Sequence, residues 1–228
     1  MSQSPIKTKA VVLRRTNYGE ADRILQLLTS DQGKMSVMAK GVRREKSKLA
    51  RGIELFAISE VMILSGKRDI GTLTGARLHT FFAQILKDYN RMQFGYEAIK
   101  QVSHVSEHVS DPAFYVLLTT TFASLDNMSI PIDATISWFW LQLAVLNGQA
   151  LNLSTDVNGM KLVEGKNYSF DSEAMAFSFH DHGEFSTEHI KLLRLLSVQS
   201  PSVVTKVRGV DELLPQVRWL AERIFAHS

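Results

Sequence analysis

Between Lys9 and Leu78 the hydrophobic positions come in short runs with a period of two, separated by turn-forming residues. In Lys9–Arg15, Val11 and Leu13 fall on one face and Ala10, Val12 and Arg14 on the other. Asn17-Tyr18-Gly19-Glu20 reads as a turn, Arg23–Thr29 as a second strand, and Ser30-Asp31-Gln32-Gly33 as a tight reversal into a third strand, Lys34–Lys40. Phe56–Leu64 and Thr72–Leu78 follow, joined by a turn at Ser65-Gly66-Lys67-Arg68-Asp69. Five short strands without a long helical pattern predict a small barrel or barrel-like sandwich, and a five-stranded OB-fold barrel has this size.

From Phe81 the period becomes helical, with Phe82, Ile85, Leu86, Tyr89, Tyr96 and Ile99 on one stripe. Asp111-Pro112 is a helix start, the Asp capping and the Pro in the first turn. It leads into Phe114, Leu117, Leu118, Thr121, Phe122 and Leu125. Ile136–Leu146 is apolar nearly all round and predicts a central, buried helix, which makes Trp138, Phe139 and Trp140 core residues rather than base-stacking ones. A last helix carries Val217, Leu220, Ala221, Ile224 and Phe225 on one face. Over residues 148–184 the helical pattern fails, and alternation around Tyr168–Phe170 and Ala176–Phe179 predicts a small β-rich insertion. The expected class is therefore α+β multidomain: a barrel over residues 1–80, then an α-helical domain over 81–228 that carries the insertion.

Charge sharpens this division. Residues 1–80 hold 15 Lys and Arg against 7 Asp and Glu, a balance of +8, whereas residues 81–228 hold 11 against 16, a balance of −5. The asymmetry points to an anionic partner for the first part. The cations do not lie on an amphipathic helix with a bulky apolar face, which argues against a membrane surface. No apolar run reaches about 18 residues and residues 1–9 lack a signal-peptide core, so a cytoplasmic location is expected. The chain has no cysteine, which excludes disulfides and thiolate metal sites.

Enzymatic motifs are missing: no phosphate loop, no G-x-G-x-x-G, no H-E-x-x-H and no G-x-S-x-G. No carboxylates share a face at a spacing suited to acid–base work. A non-enzymatic binding protein is the better reading, without catalytic residues, metal or cofactor. His180 and His182, alternate positions on a strand, and His104 and His108, one helical turn apart, are metal-ligand spacings without a full donor set; solvated surface histidines are the simpler reading. The strongest signal is Lys40–Arg51, where Lys40, Arg43, Arg44, Lys46, Lys48 and Arg51 surround a single anion, Glu45. The run lacks an apolar face and reads as a solvated loop. Its clustering with Arg14, Arg15, Arg23 and Lys34 favours a phosphate-binding groove over a merely solubilising run. Tyr18 and Phe56 are the only aromatic residues before position 81. That scarcity suggests a strand held by its backbone, its base edges left free to pair.

Two stretches carry a family resemblance: Leu13-Arg14-Arg15-Thr16-Asn17-Tyr18-Gly19-Glu20-Ala21-Asp22-Arg23-Ile24, and the run from Thr29 to Ser47 through Gly33-Lys34-Met35-Ser36 and Ala39-Lys40-Gly41-Val42-Arg43-Arg44. With Leu55-Phe56 and Thr72-Leu73-Thr74 they resemble the bacterial RecO family of DNA repair and recombination mediators, densely over residues 8–80. The resemblance implies an OB-fold followed by a helical domain, and binding of single- and double-stranded DNA. It implies annealing of complementary strands, and action with RecR in loading RecA onto DNA coated by single-stranded DNA-binding protein (SSB). A nucleoid-associated place in a bacterial cytoplasm goes with it. It assigns the DNA surface to Arg14, Arg15, Arg23, Lys34, Lys40, Arg43 and Arg44, which Lys46, Lys48 and Arg51 extend on charge grounds. It also implies that the helical domain takes the acidic, apolar-ended SSB tail. Many relatives carry a four-cysteine zinc module near residues 148–184, which this chain cannot form. Leu162, Val163, Phe170 and Phe177 are expected to hold the insertion instead. The competing readings are an RNA- or ribosome-associated OB protein, which would prefer structured RNA, and a nuclease, which would need a metal-binding carboxylate cluster.

Overall fold

The computed structural model describes residues 5–66, 70–106 and 109–226. They form two compact units, Met1–Asp126 and Asn127–Ser228. In the first, β1 (Ile6–Tyr18), β2 (Asp22–Thr29), β3 (Gly33–Ala39), β4 (Ala57–Leu64) and β5 (Ile70–Phe81) close a barrel in the order β1-β2-β3-β5-β4. Only the β3–β5 pairing is parallel. This is the expected OB-fold arrangement. Ala10, Val12, Leu25, Leu27, Val37, Ala39, Val61, Ile63 and Leu73 fill the interior, each an alternate position on its strand. The first turn is tighter than the sequence suggests, because Asn17 and Tyr18 still pair with Arg23 and Asp22, while the second is the tight reversal expected. At the second, the Thr29 hydroxyl donates to the Gly33 carbonyl (2.8 Å) and accepts from the Gln32 amide (3.0 Å). The turn expected at 65–69 falls partly outside the described residues.

Strands give way to helices at Phe82, but the compact unit does not end there. A 3-10 turn (Ala83–Lys87), α1 (Tyr89–Val105) and α2 (Pro112–Asp126) belong to the barrel's own unit. Val11 and Leu28, whose side chains point outward, are buried where these helices pack on β1 and β2. The packing division therefore comes at Asp126, whereas the change of period comes near residue 80. The expected helical stripe also shifts. Asp88 caps α1 by accepting from the Arg91 amide (3.0 Å), so Phe82 and Ile85 precede the helix. Its buried face is Phe94, Ala98, Ile99 and Val102, and Leu86, Tyr89 and Tyr96 are exposed. For α2 the pattern holds. Asp111 accepts from the Ala113 amide (2.8 Å), and Phe114, Leu117, Leu118, Thr121, Phe122 and Leu125 are buried.

In the second unit α3 (Ile132–Leu146) packs against α4 (Thr187–Val198) and α5 (Val210–Ala226). Trp138 and Phe139 are buried, and Trp140 packs on Phe225 with ring centroids 5.3 Å apart. Sequence periodicity did not single out α4. The insertion carries a three-stranded sheet, β7 (Ala176–Phe179), β6 (Asn167–Asp171) and β8 (Phe185–Ser186) in that order. Its apolar support differs from expectation: Tyr168, Phe177 and Phe185 are buried while Val163 is exposed. Phe177 sits between Phe170 (5.5 Å) and Phe185 (5.4 Å). The Tyr168 hydroxyl accepts from the Val163 amide (2.7 Å), so this residue contributes through its backbone. No helix among the described residues is long and apolar enough to cross a membrane.

Candidate nucleic-acid interface

The segment joining β3 to β4 holds most of the expected cations, and it is not the featureless solvated loop that its charge pattern suggests. Val42 and Ile53 are buried and belong to the barrel-core cluster, and Leu49, Ala50 and Leu55 pack against it. Gly52, in a 3-10 turn (Ala50–Gly52), lies where a Cβ would approach Ala76 within 2.6 Å. The apolar residues plug one mouth of the barrel. Lys40, Arg43, Arg44, Lys46, Lys48 and Arg51 stay exposed. An alternation of anchoring and charged residues in an irregular segment has no period, which is why sequence inspection missed the apolar half.

The β1–β2 turn is tied to this plug. The Arg43 amide donates to the Ala21 carbonyl (2.9 Å), its guanidinium to the Gly19 carbonyl (3.2 Å), and the Gly41 amide to the Asp22 carboxylate (2.6 Å). Gly41 has φ +63°, a left-handed conformation suited to glycine. Arg23 donates to the Asn17 side chain (3.1 Å) at the same end. Arg23, Lys40, Arg43 and Arg44 are thus brought to one mouth. Among the described residues none of Lys40, Arg43, Arg44, Lys46, Lys48 and Arg51 is in an ion pair, so their charge faces solvent. Arg15 differs: its guanidinium meets the Glu54 carboxylate at 3.1 Å and approaches the Ile53 carbonyl at 3.5 Å. Part of its charge is spent on holding the plug.

Arg14 and Lys34 lie elsewhere. A bulge in β1 leaves Leu13 without a partner in register, with Val12 opposite Leu27 and Arg14 opposite Gln26. Strict alternation would turn Arg14 into the barrel beside Ala10 and Val12. The extra residue puts it outside and exposed. Lys34 is also on the outer face, opposite Leu28, and its ammonium donates to the Ser103 carbonyl of α1 (2.9 Å). Lys40 directly follows β3, six residues from Lys34 on that strand, roughly 20 Å at a strand's rise. The ten expected residues thus form two groups, eight around the plugged mouth and two on the barrel's flank.

His180 and His182 are exposed, 6.4 Å apart between ring centroids, and His104 is exposed on α1; its expected companion His108 lies outside the described residues. Among the described residues no three His, Asp or Glu side chains group as a metal site would require.

Comparison with known proteins adds to this geometry. A family model described as "Recombination protein O N terminal" matches residues 1–82. A protein of Dehalococcoides mccartyi strain CBDB1 named DNA repair protein RecO is 32% identical over 218 residues, 92% of this chain and 85% of the relative. Its namesake from D. mccartyi strain 195 is 36% identical over 164 residues, 71% of this chain and 64% of the relative. That of Heliobacterium modesticaldum is 34% identical over 148 residues, 65% and 53% of the two chains.

Proposed function

Because the chain belongs to the RecO family of DNA repair proteins, we propose that it acts as a non-enzymatic recombination mediator whose plugged barrel mouth holds DNA by its phosphates. On this reading it binds single and double strands, anneals complements and, with RecR, helps load RecA onto SSB-coated single strands. The observation that carries it is the union of the β1–β2 turn with the basic plug, which gathers Arg23, Lys40, Arg43 and Arg44 on one rigid rim. Each cation that neutralises a phosphate releases condensed counterions, giving affinity without sequence preference. A strand held this way keeps its base edges available. The test is annealing of SSB-coated complementary oligonucleotides. Acceleration by the protein, lost in Arg43→Glu/Arg44→Glu together with about tenfold or more of DNA affinity at low salt, is the expected result. No acceleration, or tighter binding to structured RNA than to single-stranded DNA, overturns the reading.

The second unit offers a place for the acidic, apolar-ended SSB tail. A cavity of about 110 Å³ is lined by Phe170, Met175, Trp219, Leu220, Arg223 and Ile224. The Arg223 guanidinium lies 4.3 Å from the Trp219 ring centroid, so one cation stands beside an apolar recess. An apolar terminal side chain would enter the recess while its carboxylate met Arg223. Arg223→Glu is expected to weaken binding of a fluorescent SSB-tail peptide about tenfold or more and leave free-DNA affinity intact. Unchanged peptide affinity rules this cavity out.

A further inference from the structure

The crevice between the barrel's flank and helix α1 is lined by Arg14, Gln26, Lys34, Tyr96, Lys100 and His104, with further apolar and hydroxyl groups between them. It measures about 430 Å³ and opens to solvent. That lies within the range of about 300–1,000 Å³ typical of pockets for small ligands, a scale suited to a nucleotide unit and not to a duplex. No carboxylate is among the described residues that line it. Glu97, nearby on α1, sits 3.8 Å from Lys100 and also accepts from the Gln101 side chain (2.7 Å).

Three features build this crevice. The β1 bulge turns Arg14 outward into it. Lys34 bridges to the Ser103 carbonyl and ties the flank to α1. Tyr96 is 43% exposed, yet its ring is braced: it meets Phe56 edge-on at 5.0 Å, and Phe56 meets Phe122 at 5.4 Å. Gly95 permits that packing, since a Cβ there would come within 2.6 Å of the Phe56 ring. A braced, solvent-facing aromatic ring among cations is the combination that proteins use to hold single strands, the cations tracking phosphates and the ring stacking on a base.

We infer that this crevice is a single-strand-specific extension of the DNA-binding surface, in which Arg14, Lys34, Lys100 and His104 follow the backbone and Tyr96 stacks on one base. The inference rests on the proposed binding of DNA at the barrel mouth and extends it onto α1. Arg14 lies opposite Gln26, three residues along β2 from Arg23, roughly 10 Å at a strand's rise. One strand can therefore run from the mouth onto the flank. Stacking occupies the face of a base and leaves its pairing edge free, which is compatible with annealing.

The experiment uses the full chain and a short oligonucleotide carrying 2-aminopurine, whose fluorescence is quenched by stacking. Lys100→Glu is expected to weaken single-strand binding several-fold, to lower the salt-dependence slope by about 0.7, and to leave blunt-duplex affinity unchanged. Tyr96→Leu, which retains an apolar side chain against Phe56, is expected to abolish the quenching and lose roughly fivefold or more in affinity. Tyr96→Phe, which keeps the ring, is expected to retain both, so a loss seen in Leu but not in Phe is not a folding defect. Wild-type single-strand affinity and quenching in Lys100→Glu and Tyr96→Leu, with Arg43→Glu/Arg44→Glu defective, overturn the crevice and leave the mouth standing. If Arg43→Glu/Arg44→Glu also binds normally, it is the mouth reading that fails. Loss of duplex binding equal to that of single strands in Lys100→Glu overturns the single-strand assignment.

Discussion

At the scale of single residues, charge type was legible in the sequence and direction was not. The cations of residues 14–51 stand out by composition alone, yet Arg14 and Arg15, adjacent in sequence, have different surroundings. The bulge at Leu13 sends Arg14 to the flank and sets Arg15 opposite Leu25, where its guanidinium meets Glu54. No glycine or proline marks the bulge, because it follows from the register of β2 against β1 and is a property of the pair. The consequence is testable. Arg44 is exposed and belongs to no ion pair among the described residues. The Arg15 side chain is 28% exposed and in contact with Glu54. Arg44→Ala is expected to lower DNA affinity more than Arg15→Ala. Arg15→Ala is expected to cost up to about 1 kcal/mol of stability, as a partly exposed ion pair does. Titration of each variant with labelled single strand, beside a thermal melt, checks the order. Equal affinity losses with equal melting temperatures would contradict it.

At the scale of elements, regular periods were legible and irregular support was not. The strands and α2 follow their patterns, but the plug between β3 and β4 hides its anchors Val42, Leu49 and Ile53 among cations, and of the stripe expected on α1 only Ile99 is buried, beside Phe94, Ala98 and Val102, while Tyr89 and Tyr96 are exposed. The insertion behaves similarly. Its strands were expected near Tyr168 and Ala176, whereas Phe185 and the start of α4 were not expected to complete it. That start depends on a neutral histidine. The Ser186 amide donates to His189 Nδ1 (3.1 Å), reciprocating the Ser186 side chain's bond to the helix backbone. Burial holds the His189 pKa below the ordinary imidazole value of 6.5. The neutral form is thus favoured in the folded state, and the unfolded chain takes up the proton first as pH falls. Stability from this cap is complete above about pH 6.5, declines below it, and stops declining once the folded-state pKa is passed. His189→Gln supplies an acceptor that does not titrate in this range. Its melting temperature is expected to gain on that of the wild type between pH 7.5 and pH 5. A difference that stays constant across that interval shows that His189 does not control the cap.

At the scale of the whole molecule, the change of sequence period and the boundary of packing separate, and the functional consequence lies in the gap between them. The family-model match ends at residue 82 and the barrel at Phe81, so a sequence-guided truncation would stop there. The outward side chains of Val11 and Leu28, 0% and 1% exposed, are covered where α1 and α2 pack on β1 and β2. The Phe56 ring, also 1% exposed, is enclosed by Tyr96 and Phe122. Uncovering two aliphatic side chains and one phenylalanine forfeits about 1.5–3 kcal/mol each, together comparable with the whole stability of a small domain, about 5–15 kcal/mol. Inside the longer unit the second helix is clamped at its end, the buried Arg91 donating to the Leu125 carbonyl (2.8 Å) and the Gln84 amide to Asp126 (2.7 Å). A fragment of residues 1–126 is therefore expected to unfold cooperatively and to retain single-strand binding, since it contains both the mouth and the crevice. A fragment of residues 1–82 is expected to aggregate, or to melt without a cooperative transition. Thermal melts followed by circular dichroism, with anisotropy on a labelled oligonucleotide, separate the two. A cooperative, DNA-binding 1–82 fragment would show that the helices cover the barrel without stabilising it.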